Sequence, residues 1–219
     1  MAHNISNVSG RHEVVGQRGT LWHGLGQEVD HLMTIDEVCE KGGLIYPVNA
    51  RALRLPDGTF VPDVVANCRV APDGSDHYLG CVSTSYAIMP QQSFKELMAS
   101  LMVDGYSSGG VLQGGRKSFL SGKMPKEFEV MAGGHVLQQY LLGVNSHDGS
   151  TGVNVFDTMV NTVCNNTFAA AVSGTGVFGI RLRHVSSDIR AAMKKVQAGE
   201  GSTLLGIDGG IAGSDDMMS

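Results

Sequence analysis

The chain is poor in the patterns that hold metals or run redox chemistry. Its four cysteines are Cys39, Cys68, Cys81 and Cys164, and no two stand in a C-x-x-C pair. That excludes a zinc ribbon and a thioredoxin-like motif, and leaves buried, reduced thiols as the expectation. None of the eight histidines stands in an H-x-x-x-H pair. The phosphate-binding pattern G-x-x-x-x-G-K-[ST] is missing. No segment reaches about 18 consecutive apolar residues, and the opening M-A-H-N-I-S-N-V-S has no apolar signal core. A soluble, cytoplasmic protein with no membrane contact is the expectation.

Glycine is abundant instead: 30 of 219 residues, about twice average usage, which favours turns and hairpins. With 42% apolar residues, the chain can bury one sizeable core. The expected plan is an irregular N-terminal arm over residues 1–20, a single α+β domain over 21–198, and a flexible, acidic, Gly-rich tail over 199–219. Formal net charge is −5, unevenly spread. Residues 1–80 carry 6 bases and 10 acids, residues 81–198 carry 10 and 7, and residues 199–219 carry 4 acids and no base. The middle of the chain permits an anionic partner.

Thr34-Ile35-Asp36-Glu37 reads as a capping box that opens a short helix, and Gly42-Gly43 ends it. Pro56-Asp57-Gly58 and Pro72-Asp73-Gly74-Ser75 are turn signals that divide residues 50–83 into a meander of strands. Phe94, Leu97, Met98, Leu101 and Met102 recur at helical spacing, which predicts a helix over 91–103 with one core-facing stripe. Residues 106–131 predict a Gly-rich β-ribbon, and 136–144 and 152–163 two inner strands. Residues 178–184 alternate Ile180 and Leu182 with Arg181 and Arg183, as a half-buried strand does. A last helix over 189–198 follows a cap at Ser186-Ser187-Asp188. The sum is an α+β fold: an antiparallel β-meander or curved sheet with helices packed on one face.

Two polar knots interrupt the apolar runs. Ser146-His147-Asp148-Gly149-Ser150 sits between two strands. Adjacency argues against a catalytic triad, whose members converge from separate segments, so no catalytic residue, metal or cofactor is expected. The turn either bonds its side chains to local backbone or contacts a ligand. Asn165, Asn166 and Thr167 stand at a strand-to-helix junction. There they cap the helix or join its free N–H groups in holding a phosphate. If the two knots meet, Ser146, His147, Asp148, Asn165, Asn166 and Thr167 form one anion site.

Nine of the 16 basic residues fall in 116–126 and 181–195. Arg116, Lys117, Lys123, Arg181, Arg183, His184, Arg190, Lys194 and Lys195 could line a groove for a nucleic-acid backbone, or lie on ordinary solvated faces. Trp22, the only tryptophan, and Tyr140 are candidates to stack on bases.

Five of these segments stand in the order of a known family. They are Arg18-Gly19-Thr20, Trp22-His23-Gly24-Leu25-Gly26, Ser146-His147-Asp148-Gly149-Ser150, Val163-Cys164-Asn165-Asn166-Thr167 and Arg183-His184. Together they resemble phage/plasmid-like proteins of the family called domain of unknown function 932, from about Arg18 to about Val196. One departure is Asn161-Thr162, where the family usually has an Arg just before its V-C-[NQ]-N-T run. The resemblance implies a mobile-element protein. Its order of elements is similar to that of Rad/Sak-type single-strand annealing proteins, which form rings and hold single-stranded DNA in a basic groove. The expectation is therefore a non-enzymatic, homo-oligomeric, ring-forming protein of the host cytoplasm that binds and anneals single-stranded DNA. The alternative is an anti-defence protein that binds a host factor, with the acidic tail as its contact.

Overall fold

A computed structural model describes residues 4–21, 24–130, 135–159, 162, 166–167, 169 and 179–205, with backbone alone for 126–130 and 135–137. Along the chain run β1 (Val14–Gln17), β2 (Gln27–Val29), α1 (Ile35–Lys41), β3 (Val48–Arg54), β4 (Phe60–Val70), β5 (Asp76–Ser83) and α2 (Gln91–Ala99). Then come β6 (Gly105–Leu112), β7 (Lys117–Val130), β8 (His135–Ser146), β9 (Val153–Thr158), β10 (Gly179–Leu182) and α3 (Ser186–Gln197). Seven strands form one sheet in the order β10-β9-β8-β7-β6-β1-β2, and β3-β4-β5 form a second. All the pairings are antiparallel except β1 with β2. The fold is α+β, and the meander expected over residues 50–83 is the smaller sheet.

Local chemistry sets the helices. Thr34 caps α1 by accepting a hydrogen bond from the Glu37 N–H at 3.2 Å, which satisfies one otherwise orphaned donor. In α2 the spaced residues Phe94, Leu97 and Met98 are buried. This helix stops at Ala99, short of the expected residue 103. Ser100 turns its hydroxyl back onto the Leu97 carbonyl at 2.7 Å, a local bond that competes with helix continuation.

The large sheet has two faces. By register, Val15, Leu120, Leu141, Val155 and Ile180 share the face covered by the helices. On it α1 packs against β6 and β1, α2 against β8 and α3 against β10, so the helices lie on one face as expected. The side chain of Met98 fills the place a Cβ would need at Gly143, so glycine there lets α2 sit close on β8. The opposite face buries Val14, Phe119, Leu142 and Val144 beneath Ile5 and Leu21.

Two expectations at the ends need correction. Residues 4–20 are not an irregular arm. Val14 and Val15 are fully buried in β1, between β6 and β2, and Ile5 bridges to Leu112. The polar, Gly-containing composition hid a four-residue strand whose apolar content is just Val14 and Val15. The tail does not begin at residue 199 either. Gly201–Leu205 forms a 3-10 turn whose Leu205 is buried in the core; residues 206–219 lie outside the described part. Among the described residues no helix is long and apolar enough to cross a membrane.

Candidate nucleic-acid interface

The β6–β7 connection is where the two sheets meet. Gln113–Gly115 make a 3-10 turn between the strands. The turn is anchored from below by buried polar groups. Arg69 of β4 donates to Glu13 at 2.7 and 2.5 Å and to the Ser6 hydroxyl at 3.2 Å. Its guanidinium lies 4.0 Å from the centre of the Tyr46 ring, and the Tyr46 hydroxyl donates to the Gly115 carbonyl at 3.0 Å. Burial pushes the Glu13 carboxyl up, but the hydrogen bonds from Arg69 and Ser6 outweigh it and hold the group below its ordinary value. Glu13 therefore stays charged and the guanidinium stays fixed.

The Ser146–Ser150 turn anchors the same loop from the other side. The His147 N–H donates to the Arg116 carbonyl at 2.8 Å, and Asn67 donates to the His147 carbonyl at 2.8 Å. The knot is resolved largely in favour of local bonding. Ser146 donates to the Thr151 carbonyl at 2.5 Å, and Asp148 accepts from the Ser150 N–H at 2.9 Å. The His147 ring points inward and is fully buried. Burial, with the nearby His184 adding to it, lowers its pKa to about 3, so the ring is neutral. A buried neutral ring cannot hold an anion at the surface, which removes His147 from the expected anion site. Asn166 and Thr167 are helical, but Asn165 lies outside the described residues, as do residues 160–161 and 163–164 before it.

Above this support lies an open groove of about 1000 Å3, lined among others by Asn4, Asn7, His77, Tyr78, Gln113 and Arg116. Its backbone is unusual. Asn4 and Gln113 have φ of 52° and 53°, the left-handed region that side chains rarely adopt. They face each other, with the Gln113 N–H donating to the Asn4 carbonyl at 2.7 Å. Gly114 follows at φ 71°, and a Cβ on it would come 2.5 Å from Nε2 of His77. Arg116 is exposed at the rim and Tyr78 is 50% exposed. The groove also holds Asp73 and Asp76. Asp76 is neutralised by Arg51 at 2.8 Å, and Asp73 accepts from Ser75.

The other expected contacts divide. By register Lys117, Lys123, Tyr140 and Arg181 all lie on the sheet face away from the helices. Lys117 and Lys123 are half-buried at opposite ends of this stretch of β7, and Tyr140 lies beside Lys123. Arg181, Lys194 and Lys195 are exposed at the β10 edge and on α3. Arg183 instead pairs with Asp188 at 2.9 and 3.3 Å, and Arg190 donates to the Ser186 carbonyl at 3.0 Å, so both brace the start of α3. His184 is not available to a nucleic acid. It is buried, stacked on Tyr86 with ring centres 4.4 Å apart, and its Nδ1 donates to the Ala87 carbonyl at 3.0 Å. Trp22 lies outside the described residues. Sequence reasoning missed Tyr78, His77, Asn4 and Asn7. They come from the N-terminal segment and the start of β5, and only the fold brings them to Arg116.

Among the described residues no group of three or more His, Cys, Asp or Glu side chains is placed to hold a metal ion. Gly174-Thr175-Gly176-Val177-Phe178-Gly179 spells G-x-G-x-x-G, but it leads into β10. The dinucleotide fingerprint leads out of a strand into a helix.

A family model described as Domain of unknown function (DUF932) matches residues 78–204. The match takes in α2, β6 to β10 and α3, together with the Ser146–Ser150 and Arg183-His184 segments; Arg18–Gly26 lies before it. No curated protein and no solved structure matches the chain.

Proposed function

Since the chain belongs to the family of the domain of unknown function DUF932, whose name assigns no activity, we propose from the chain's own residues that it binds single-stranded DNA. The carrying observation is the groove that brings exposed Arg116 and exposed Tyr78 together. A cation for the phosphate and an aromatic ring for the base are the two contacts that sequence-tolerant single-strand binding needs. The amides of Asn4, Asn7 and Gln113 in the same groove can bond base edges on an unpaired strand. Backbone held in rare conformations clusters at functional sites, and two of the three non-glycine positive-φ residues described line this groove. Lys117 follows Arg116 directly and extends the cationic rim onto the sheet. In this reading the protein belongs to a phage or plasmid, acts in the host cytoplasm as a homo-oligomer, and anneals strands, as the resemblance to Rad/Sak-type proteins implies.

The test is fluorescence anisotropy with a labelled single-stranded oligonucleotide across a salt series. Affinity should fall as salt rises, because phosphate contacts release counterions. No binding at low salt, or binding indifferent to salt, overturns the reading.

The runner-up is a non-enzymatic anti-defence or host-factor-binding protein. The observation in its favour is the β3–β4 hairpin, which leaves Leu55 51% and Phe60 56% exposed at its tip. Recovery of one stoichiometric host protein on the intact chain, lost in Phe60→Ser and with no DNA affinity, would select it.

A further inference from the structure

The large sheet is electrically polar from edge to edge. At one edge lies β2, and just inside it α1 covers β1 and β6 on the helix-covered face. Residues 24–41 carry five acids, Glu28, Asp30, Asp36, Glu37 and Glu40, against Lys41. At the other edge lie β10 and, on the same helix-covered face, α3. Residues 179–198 carry five bases, Arg181, Arg183, Arg190, Lys194 and Lys195, against Asp188. Six strand steps separate the edges, about 30 Å at the usual strand spacing. Glu28, Asp30, Glu40, Arg181, Lys194 and Lys195 are all exposed. Among the described residues no strand pairs with the outer side of β2 or of β10.

The two edges also match face by face. Glu28 stands beside Gly16, and Gly16 beside Ser108. Following the register across the sheet puts Glu28 on the same face as Arg181, away from the helices. On the helix-covered face the acidic helix is α1 and the basic helix is α3. Strand directions match as well. Five antiparallel steps run from β10 to β1, and β2 runs parallel to β1. A second copy that continues the sheet in the same sense therefore sets its β10 antiparallel to β2.

We infer that the β2–α1 edge of one copy docks on the β10–α3 edge of the next, so that copies assemble head to tail through a continuing sheet. Open strand edges invite such pairing. The two-fold alternatives, β2 on β2 or β10 on β10, would set like charges opposite one another, which is destabilising. A heterologous contact repeats, and it closes into a ring or runs on as a filament. This interface uses the second basic stretch and leaves the Arg116 groove open, so it stands or falls separately from DNA binding.

The test is sedimentation of the full chain without DNA, at about 0.1 M and about 1 M salt, where the screening length falls from about 10 Å to about 3 Å. The wild type should assemble at the lower salt and dissociate at the higher. Arg181→Glu/Lys194→Glu and Glu28→Lys/Asp30→Lys should each be monomeric alone, and their mixture should recover complexes. All four sites are exposed, and circular dichroism confirms that each variant is folded; if one is not, the wild-type salt series decides. A wild type that is monomeric at low salt, a variant that assembles as the wild type does, or a mixture that forms no complex overturns the interface.

Discussion

Arg69 and Glu13 meet in a two-point ion pair with both side chains at most 3% exposed. They join β4 of the small sheet to the residue just before β1 of the large one. The pair also sets the loop below the groove, because the Arg69 stem fills the space beside Gly115. Removing one partner leaves the other buried and unpaired, which costs about 3–5 kcal/mol. Glu13→Gln and Arg69→Met should each lower stability by that order in urea unfolding. The double replacement Glu13→Met/Arg69→Met should recover most of the loss, since it leaves no orphaned charge.

At the groove, Arg116→Ala should weaken binding of single-stranded DNA with little sequence dependence and reduce the salt slope by about 1. Tyr78→Ala should cost about 1–3 kcal/mol of binding without changing the slope, as loss of one stacked base does. Equal slopes for both variants in the anisotropy series would count against these separate roles.

His147 gives a pH signature. Its pKa falls from 6.5 to about 3 on folding because burial penalises the charged ring. Below about pH 6.5 the unfolded chain takes up a proton that the native chain refuses. Stability should thus fall with decreasing pH, by up to about 1.4 kcal/mol per pH unit from this residue. His184 shifts in the same direction, also through burial. Glu13, held low, adds a further loss as pH drops through its native value. Urea midpoints measured between about pH 7 and pH 4.5 check this. His147→Gln should flatten the profile; an unchanged slope would contradict the buried neutral ring.

Gly143 predicts an overpacking penalty. Gly143→Ala would drive a methyl group into the Met98 side chain beneath α2, at a cost of about 1–3 kcal/mol. The double variant Gly143→Ala/Met98→Ala should recover part of it, which thermal unfolding can read.

Legibility followed the range of the forces. The Thr34–Glu37 cap, the turns at Pro56–Gly58 and Pro72–Ser75, and the alternation in β10 are written within a few residues of one another, and the sequence alone placed them. The Ser146–Ser150 turn was legible as a turn, because Ser and Asp bond backbone within two to five positions. The inward direction of His147 was not, since it depends on Asn67 and Arg116 in other elements. The Arg116 groove was half legible. The cation and the glycines stand together in the chain, whereas Asn4 reaches them through the Ile5–Leu112 bridge and Tyr78 through the packing of β5 against the 113–115 turn. Val14 and Val15 were missed for the same reason: two valines carry little signal until β6 and β2 flank them.

β1 also orders events at the ribosome. Its neighbour β6 ends at Leu112 and the partner of Glu13 is Arg69, so β1 emerges well before its antiparallel neighbour. Val14 and Val15 are then among the later residues to find their native contacts. Such non-local closure is slow relative to hairpins such as β3–β4 and β6–β7, which can pair as soon as they appear. A nascent chain paused before Leu112 would hold its small sheet formed and its valines waiting.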